Sequence, residues 1–251
     1  MKQETILLLT GCINPNCDDF LAINKVAQRK AMYIKSINWY LCNTNFKVVF
    51  CENSGVDITD EFDSSCWGDR LEVLTYVSDY TVGRTKGYKE MEILEYIQAN
   101  SSFVNGCNKS AILVKITGRL ILLNISAIIK KLNSNRSRNQ TFVSAYLNGR
   151  KPWGDCRFIF FSPDFFSFLI AKKEEITTSY YFEHATTDAV LLSRKCGVNF
   201  IYPPLPVRID GVGGGFGDVY NISDKEYRKK NCIHQLRRLL FYFGILPWVK
   251  K

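Results

Sequence analysis

Apolar residues along this chain arrive in short, dense runs separated by turn signals, with longer helical stretches between them. The first run, Ile6 to Leu9, stops at a turn carrying Gly11, Asn14 and Pro15. That is the length of a buried strand. Leu9-Thr10-Gly11-Cys12 also has the form of a lipoprotein cleavage site. An export signal, however, needs a basic start and an apolar stretch of about 7–15 residues. A run this short, behind Glu4, does not supply that, so it predicts the first core strand.

Beyond it the spacing of Phe20, Ile23, Ala27, Ala31, Ile34, Ile37 and Leu41 predicts a helix over 19–41. FKVVFC (46–51) and LEVLTYV (71–77) predict strands. A second helix is expected over 87–101, with Met91, Leu94 and Ile97 on one face, then a strand AILVKI (111–116) ending at TGR. CRFIFF (156–161) is another strand. SPDFFSFLIAKK (162–173) is a helix with Ser162 as N-cap and Pro163 in its first turn. Residues 177–196 predict a helix capped by Thr or Ser, 197–202 a late strand, and 210–218 a flexible Gly-rich loop. Strands alternating with helices predict an α/β sheet, largely parallel in its first half.

Composition narrows this little: 46% hydrophobic and 14% aromatic residues describe a globular chain. No uncharged apolar run reaches about 18 residues, so no membrane-spanning helix is expected. Nine cysteines, an odd number without C-x-x-C spacing, suit reduced thiols in a cytosol and make a zinc site an unfavoured reading. Charge changes the picture more. The net charge is +9, and 225–251 hold eight Lys or Arg against one Glu. Such a chain seeks polyanions: nucleic acid, phosphorylated small molecules or anionic lipid.

Polar clusters fall just past the predicted strand ends: Thr10-Gly11-Cys12, Glu52-Asn53-Ser54-Gly55 and Thr117-Gly118-Arg119. In an open parallel sheet these ends share one ligand-binding edge. Glu52 could accept hydrogen bonds from ribose hydroxyls or a base, or be a solvated turn residue. In GRTKGYKE (83–90), Arg84, Lys86 and Lys89 lie near a helix N-terminus that itself favours anions, and Gly87 would admit a phosphate to the backbone. An ordinary charged helix start is the alternative. Neither G-x-x-x-x-G-K-[ST] nor an early G-x-G-x-x-G is present, against a P-loop NTPase or a Rossmann dehydrogenase. Lys115 and Arg119 flank an apolar strand end. Buried cations need partners, and a diphosphate would be one.

Taken in order, LLLTGCINP, Arg29, VFCENSG, KGYKEMEI, KITGR, the Asp155-x-Arg157 of GDCRFIFFS and the FEHA helix resemble bacterial glycosyltransferases that build capsule or O-antigen polysaccharide, as in lipopolysaccharide biosynthesis. The resemblance extends to about residue 220. It implies a GT-A-like, Rossmann-type α/β sheet, largely parallel, with helices on both faces and an amphipathic C-terminal helix. It divides the chain into one domain over 1–222, with a nucleotide-binding half to about 130 and an acceptor half over 141–222, and a basic segment over 223–251.

The implied activity is a hexosyltransferase-type transfer from a nucleotide-sugar to a glycan or lipid-linked acceptor. Thr10, Gly11, Cys12, Arg29, Glu52, Asn53, Lys86, Gly87, Lys115, Thr117, Gly118, Arg119 and Arg157 are the implied donor-binding residues. GT-A enzymes typically carry a metal-binding Asp-x-Asp. Here the comparable strand end reads Lys115-Ile116-Thr117-Gly118-Arg119, and Asp155-Cys156-Arg157 has a cation for its second acid. Lys86, Lys115 and Arg119 are therefore expected to neutralise the leaving diphosphate without a metal cofactor, with Mn or Mg as the alternative. Inversion at the anomeric carbon needs a carboxylate base, Glu183 or Asp155, with His184 beside Glu183. Asp155 could instead orient the donor sugar, and His184 could be a packed helix residue.

The C-terminal segment puts Ile233, Leu236, Leu240 and Phe243 on one helical face beside Arg228, Lys229, Lys230, Arg237 and Arg238. That suits an anionic membrane surface, with the enzyme cytoplasmic and peripheral at the inner face. A helix packed on the domain is the alternative. The rival functions are a basic nucleic-acid-binding α/β protein and a non-catalytic nucleotide-binding protein. The positive charge lies beside Leu, Phe and Trp rather than in a stripe interleaved with exposed aromatics, so no nucleic-acid partner is expected.

Overall fold

Every residue of the first strand, β1 (Thr5–Gly11), is buried, so its apolar side chains serve both faces of a sheet, as in parallel α/β proteins. The computed structural model describes residues 4–15, 22–79, 84–137, 140–148, 153–213 and 217–244. After β1 come α1 (Val26–Asn43), β2 (Lys47–Glu52), a short α2 (Ser64–Trp67), β3 (Leu71–Thr75), α3 (Lys86–Asn100) and α4 (Ser102–Asn105). Then follow β4 (Ile112–Thr117), β5 (Ile121–Leu122), α5 (Ile125–Ser134), β6 (Phe142–Leu147) and β7 (Gly154–Phe161). The chain continues through α6 (Phe166–Ile170), α7 (Phe182–Lys195), β8 (Asn199–Phe200), β9 (Ile209–Val212), β10 (Val219–Tyr220) and α8 (Asp224–Tyr242).

The main sheet has seven strands in the order β3-β2-β1-β4-β7-β6-β8. β1 pairs in parallel with β2 and β4, and β2 with β3. β7 runs antiparallel between β4 and β6. The reversal matters for position: the start of β7, Gly154 and Asp155, lies at the edge formed by the C-terminal ends of the parallel strands. A small sheet, β10-β9-β5, covers part of this edge.

Helices cover both faces. α3, α6 and α7 pack one face through Met91, Leu94, Ile97, Phe166, Leu169, Phe182 and Val190. α1 and α5 pack the other through Tyr33, Ile37, Tyr40, Ile128 and Leu132. Each such fully buried aliphatic or aromatic side chain contributes about 1.5–3 kcal/mol. α8 rests one face on the domain: Phe241 meets Phe200 and Tyr202 at ring distances of 5.6 and 5.3 Å. His234 Nε2 lies 2.7 Å from the Pro203 carbonyl.

The expected α/β sheet and its strands are present, and several details differ. The first helix begins at Val26, not at 19; residues 16–21 lie outside the description. Its buried face is Arg29, Tyr33, Ser36, Ile37, Tyr40 and Leu41, because the Tyr33 and Tyr40 hydroxyls bond the backbone of Cys12, Leu120 and Leu122. The helix expected over 162–173 is a 3-10 turn, Pro163–Phe165, running into α6. α7 is capped by Tyr181 rather than Thr or Ser. The expected Gly-rich loop supplies β9 up to Val212, and residues 214–216 of it lie outside the description.

Candidate functional site

The turn after β1 is held from two sides. Arg29 Nε and Nη2 donate to the Cys12 carbonyl at 2.8 and 2.5 Å, and its Nη1 donates to Ile23 at 3.1 Å. The Cys12 amide donates to Tyr33 Oη at 3.0 Å. Across the sheet edge, Glu52 is wholly buried. Its carboxylate accepts from the amides of Ile13, Ser54 and Val56 at 2.7, 2.8 and 3.0 Å, and from the Ser54 hydroxyl. Glu52 thus fastens the β1 and β2 turns together, while Arg29 ties the β1 turn to Ile23 ahead of α1. Asn53 is buried beside them and its amide donates to the Gly11 carbonyl at 3.2 Å.

At the end of β4, Gly118 sits where a Cβ would come 2.6 Å from the Thr10 carbonyl oxygen. Only glycine allows this closeness, and it lets the Gly118 amide donate to the Thr10 carbonyl at 2.8 Å. Arg119 is half-buried, with Nε donating to Val212 at 3.1 Å and Nη1 to Tyr33 Oη at 3.5 Å. Lys115 is fully buried. Its Nζ lies 2.5 Å from both Glu90 Oε1 and the Cys156 carbonyl. Glu90, in the second turn of α3, also accepts from the hydroxyls of Thr10 and Thr117 at 3.0 and 3.3 Å. Burial pushes the Glu90 carboxyl up, but Lys115, Thr10 and Arg119 together outweigh this and hold it below the ordinary value.

Over Glu90 opens a cavity of 460 Å³ between the N-termini of α3 and α7, lined by Arg84, Lys86, Gly87, Glu90, Cys156, Tyr181, Phe182 and Glu183 among others. Two helix N-termini facing one space make it favourable to negative charge. Gly87 serves contact between the helices: a Cβ there would lie 3.1 Å from Phe182 Cβ and N. Arg84 is bonded to Glu174 at 2.9 Å. Glu183 lines the cavity. His184 instead accepts from the Tyr181 amide through Nδ1 at 3.0 Å, capping α7. Its ring packs against Trp153, Tyr180 and Tyr181 at 5.1, 5.4 and 5.7 Å.

Asp155 and Arg157 form a two-pronged pair, Nε–Oδ1 2.9 Å and Nη2–Oδ2 2.6 Å. These hydrogen bonds raise the arginine further above its usual value. The pair points away from the cavity, because Cys156 between them faces into it.

The structure therefore brings Lys86, Gly87 and Glu183 around one cavity, with the Lys115–Glu90 pair and Thr117 at its base. Arg29, Glu52 and His184 are spent on backbone contacts nearby. Three residues are not recoverable from motif reading: Glu90, the exposed Tyr181 in the cavity lining, and the exposed Trp153 packed against Tyr181, 46% and 39% accessible. For Glu90 a signal existed, since a lone Lys115 in an apolar strand demands a partner. Among the described residues no three His, Cys, Asp or Glu side chains gather as metal ligands. At this strand end Glu90 is already paired with Lys115.

No protein-family profile and no curated sequence matches the chain. Among solved structures it is similar to one described as a nucleotide-diphospho-sugar transferase of Desulfovibrio desulfuricans G20, with 12% identity, TM-score 0.47 and 80% of each chain covered. It is also similar to a 4-diphosphocytidyl-2C-methyl-D-erythritol synthase, with 9% identity, TM-score 0.43, and 94% of this chain and 99% of that one covered. A third is a cytidylyltransferase of Leptospira borgpetersenii serovar Hardjo-bovis, with 10% identity, TM-score 0.41, and 82% and 78% covered.

Proposed function

We propose that the protein is a glycosyltransferase that moves a sugar from a nucleoside diphosphate donor to a glycan or lipid-linked acceptor in surface polysaccharide synthesis. The observation that supports this most is the placement of Glu183. It borders a cavity at the ligand edge of the sheet, between two helix N-termini and beside Lys86. An acid for the acceptor and an environment for a diphosphate thus meet in one space.

In this reading the acceptor hydroxyl gives its proton to Glu183 as its oxygen bonds the anomeric carbon, and the bond from that carbon to the diphosphate breaks with its electron pair leaving on the diphosphate. Lys86, Arg119 and the α3 backbone amides stabilise the charge that develops there. Lys115 acts indirectly, by fixing Glu90 under the donor. Trp153 and Tyr181 present flat apolar faces on which an acceptor sugar ring can stack. α8 holds the enzyme at an anionic membrane surface; among the described residues no helix is long and apolar enough to cross one.

A thermal-shift panel of nucleotide-sugars against oligonucleotides, followed by turnover of whichever donor protects, tests the reading. Protection by oligonucleotides alone would favour a nucleic-acid-binding protein. Protection by a nucleotide-sugar with no transfer to any glycan would favour a non-catalytic nucleotide binder.

A further inference from the structure

Behind β7 lies a second cavity of 650 Å³, bounded by β6, β7, β10 and α8. Side chains alternate along a strand, so Cys156 faces the first cavity while Arg157 lines the second. Tyr146 and Tyr220 give the second cavity aromatic walls, and Arg157 lies 4.8 Å from the Tyr220 ring centre. α8 contributes Lys230, Ile233 and Arg237.

The charges there are unbalanced. Asp155 neutralises Arg157. Glu226, the acid in the lining, is bonded to the amide and hydroxyl of Ser223 at 3.2 and 3.0 Å as a helix cap. It lies one turn from Lys230 and acts on it only through space. Arg237 has no carboxylate partner among the described residues. One guanidinium satisfies a carboxylate, as Arg157 does for Asp155. Three cations from a strand and a helix, two of them uncommitted, fit a group with more oxygens and more charge.

The geometry points to this cavity as the seat of a phosphoryl group, phosphate or diphosphate, carried by the second substrate. The inference rests on the glycosyltransferase reading for that substrate's role. Gly154, at the start of β7, sits where a Cβ would lie 3.6 Å from the Glu183 carbonyl oxygen. Arg157 is three residues along the same strand, about 10 Å away. A saccharide anchored here by its phosphate can pass Trp153 and present a hydroxyl to Glu183. Ile233, at the cavity wall, is 45% exposed, so a lipid chain on the phosphate would leave along α8.

Calorimetric titration of inorganic pyrophosphate into the full chain tests this. In Lys230→Ala/Arg237→Ala, whose altered side chains are exposed, affinity at one site should fall about tenfold or more. It should persist in Arg84→Ala/Lys86→Ala. Unchanged binding in the first variant, or binding that follows only Arg84 and Lys86, overturns the assignment. Glucose 1-phosphate and farnesyl phosphate separate the sources. Equal affinities identify a free sugar phosphate, whereas tighter farnesyl phosphate binding that Ile233→Ser abolishes identifies a lipid headgroup. Failure of every nucleotide-sugar to bind would defeat the donor reading and leave this result standing.

Discussion

Lys115 Nζ lies 2.5 Å from Glu90 Oε1, with the lysine side chain wholly buried and a quarter of the glutamate exposed. β4 and α3 are thereby joined at the base of the candidate cavity. The pair resolves the oddity of a lysine in an apolar strand. It also gives Glu90 a fixed position and a fixed charge under the site. Glu90→Gln would strand a buried ammonium, which should cost about 2–4 kcal/mol, less than for a fully buried pair. At about 2–4 °C per kcal/mol for a chain of this size, the melting temperature should drop by about 5–15 °C. Differential scanning calorimetry showing no drop would mean that Lys115 finds another partner.

The same pair has an acid signature. Folding holds the Glu90 carboxyl below its ordinary value of 4.5. Its ionised form therefore stabilises the fold above that pH, and the contribution disappears as pH falls through the lowered value. Urea unfolding followed from pH 6 to pH 3 should show stability falling more steeply in the natural protein than in Glu90→Gln. Parallel curves would count against the pair as the source.

Glu183 and Asp155 should separate in kinetics. Glu183→Gln is expected to lower kcat by about 10²–10⁴-fold while donor affinity holds. Asp155→Asn breaks the two-pronged bond to Arg157. It should act on the acceptor side, raising its KM more than it lowers kcat. The reverse pattern would make Asp155 the base. Chelation with EDTA should leave the rate unchanged, and Arg119→Ala should lower it about tenfold. Complete loss in EDTA, restored by manganese, would replace the cations with a metal.

Tyr181 lines the cavity and Trp153 packs beside it, both exposed, their rings 5.9 Å apart. Trp153→Ala should raise the acceptor KM about 2- to 12-fold, the equivalent of about 0.5–1.5 kcal/mol from an aromatic contact, and leave donor binding untouched. Acceptor-induced quenching of tryptophan fluorescence should shrink in the variant. Equal loss toward donor and acceptor would mean that the ring only supports α7 through His184.

These residues also mark how far the sequence could be read. β1, β2, β4 and α3 were legible because their apolar spacing reflects burial directly, and the strand-end clusters followed from the parallel order. The buried face of α1 does not show in apolar spacing because two thirds of it is polar: Arg29, Tyr33, Ser36 and Tyr40 are inside for their hydrogen bonds. α5 was hidden by the polar run that follows it, although Ile125, Ile128, Ile129 and Leu132 carry helical spacing. Glu90 and Lys115 were both visible as charges, but nothing local reveals a pairing across 25 positions of chain. Glu52 lay on the predicted edge, yet its bonds to Ile13, Ser54 and Val56 depend on how two turns meet in space.

Packing and exposure divide α8 lengthwise. Tyr227, His234 and Phe241 face the domain: the Tyr227 hydroxyl accepts from the Asn124 amide at 2.9 Å, and His234 and Phe241 pack against Tyr202. Away from it, Ile233, Leu236, Leu239, Tyr242 and Phe243 are 45% to 76% exposed, with Arg228, Lys229, Lys230 and Arg237 exposed around them. Leu240, expected on the apolar face, is half-buried. Cations beside bare apolar side chains suit the interface of an anionic bilayer. Deleting 225–251 would also strip the packed face, so point changes discriminate better. Leu236→Glu/Phe243→Glu alters only exposed positions and should leave the melting temperature within about 2 °C, since surface substitutions cost little. Sedimentation with vesicles containing phosphatidylglycerol should show salt-sensitive binding of the natural protein and none of the variant. If the natural protein ignores such vesicles, or the variant binds them equally well, this face does not dock to the membrane.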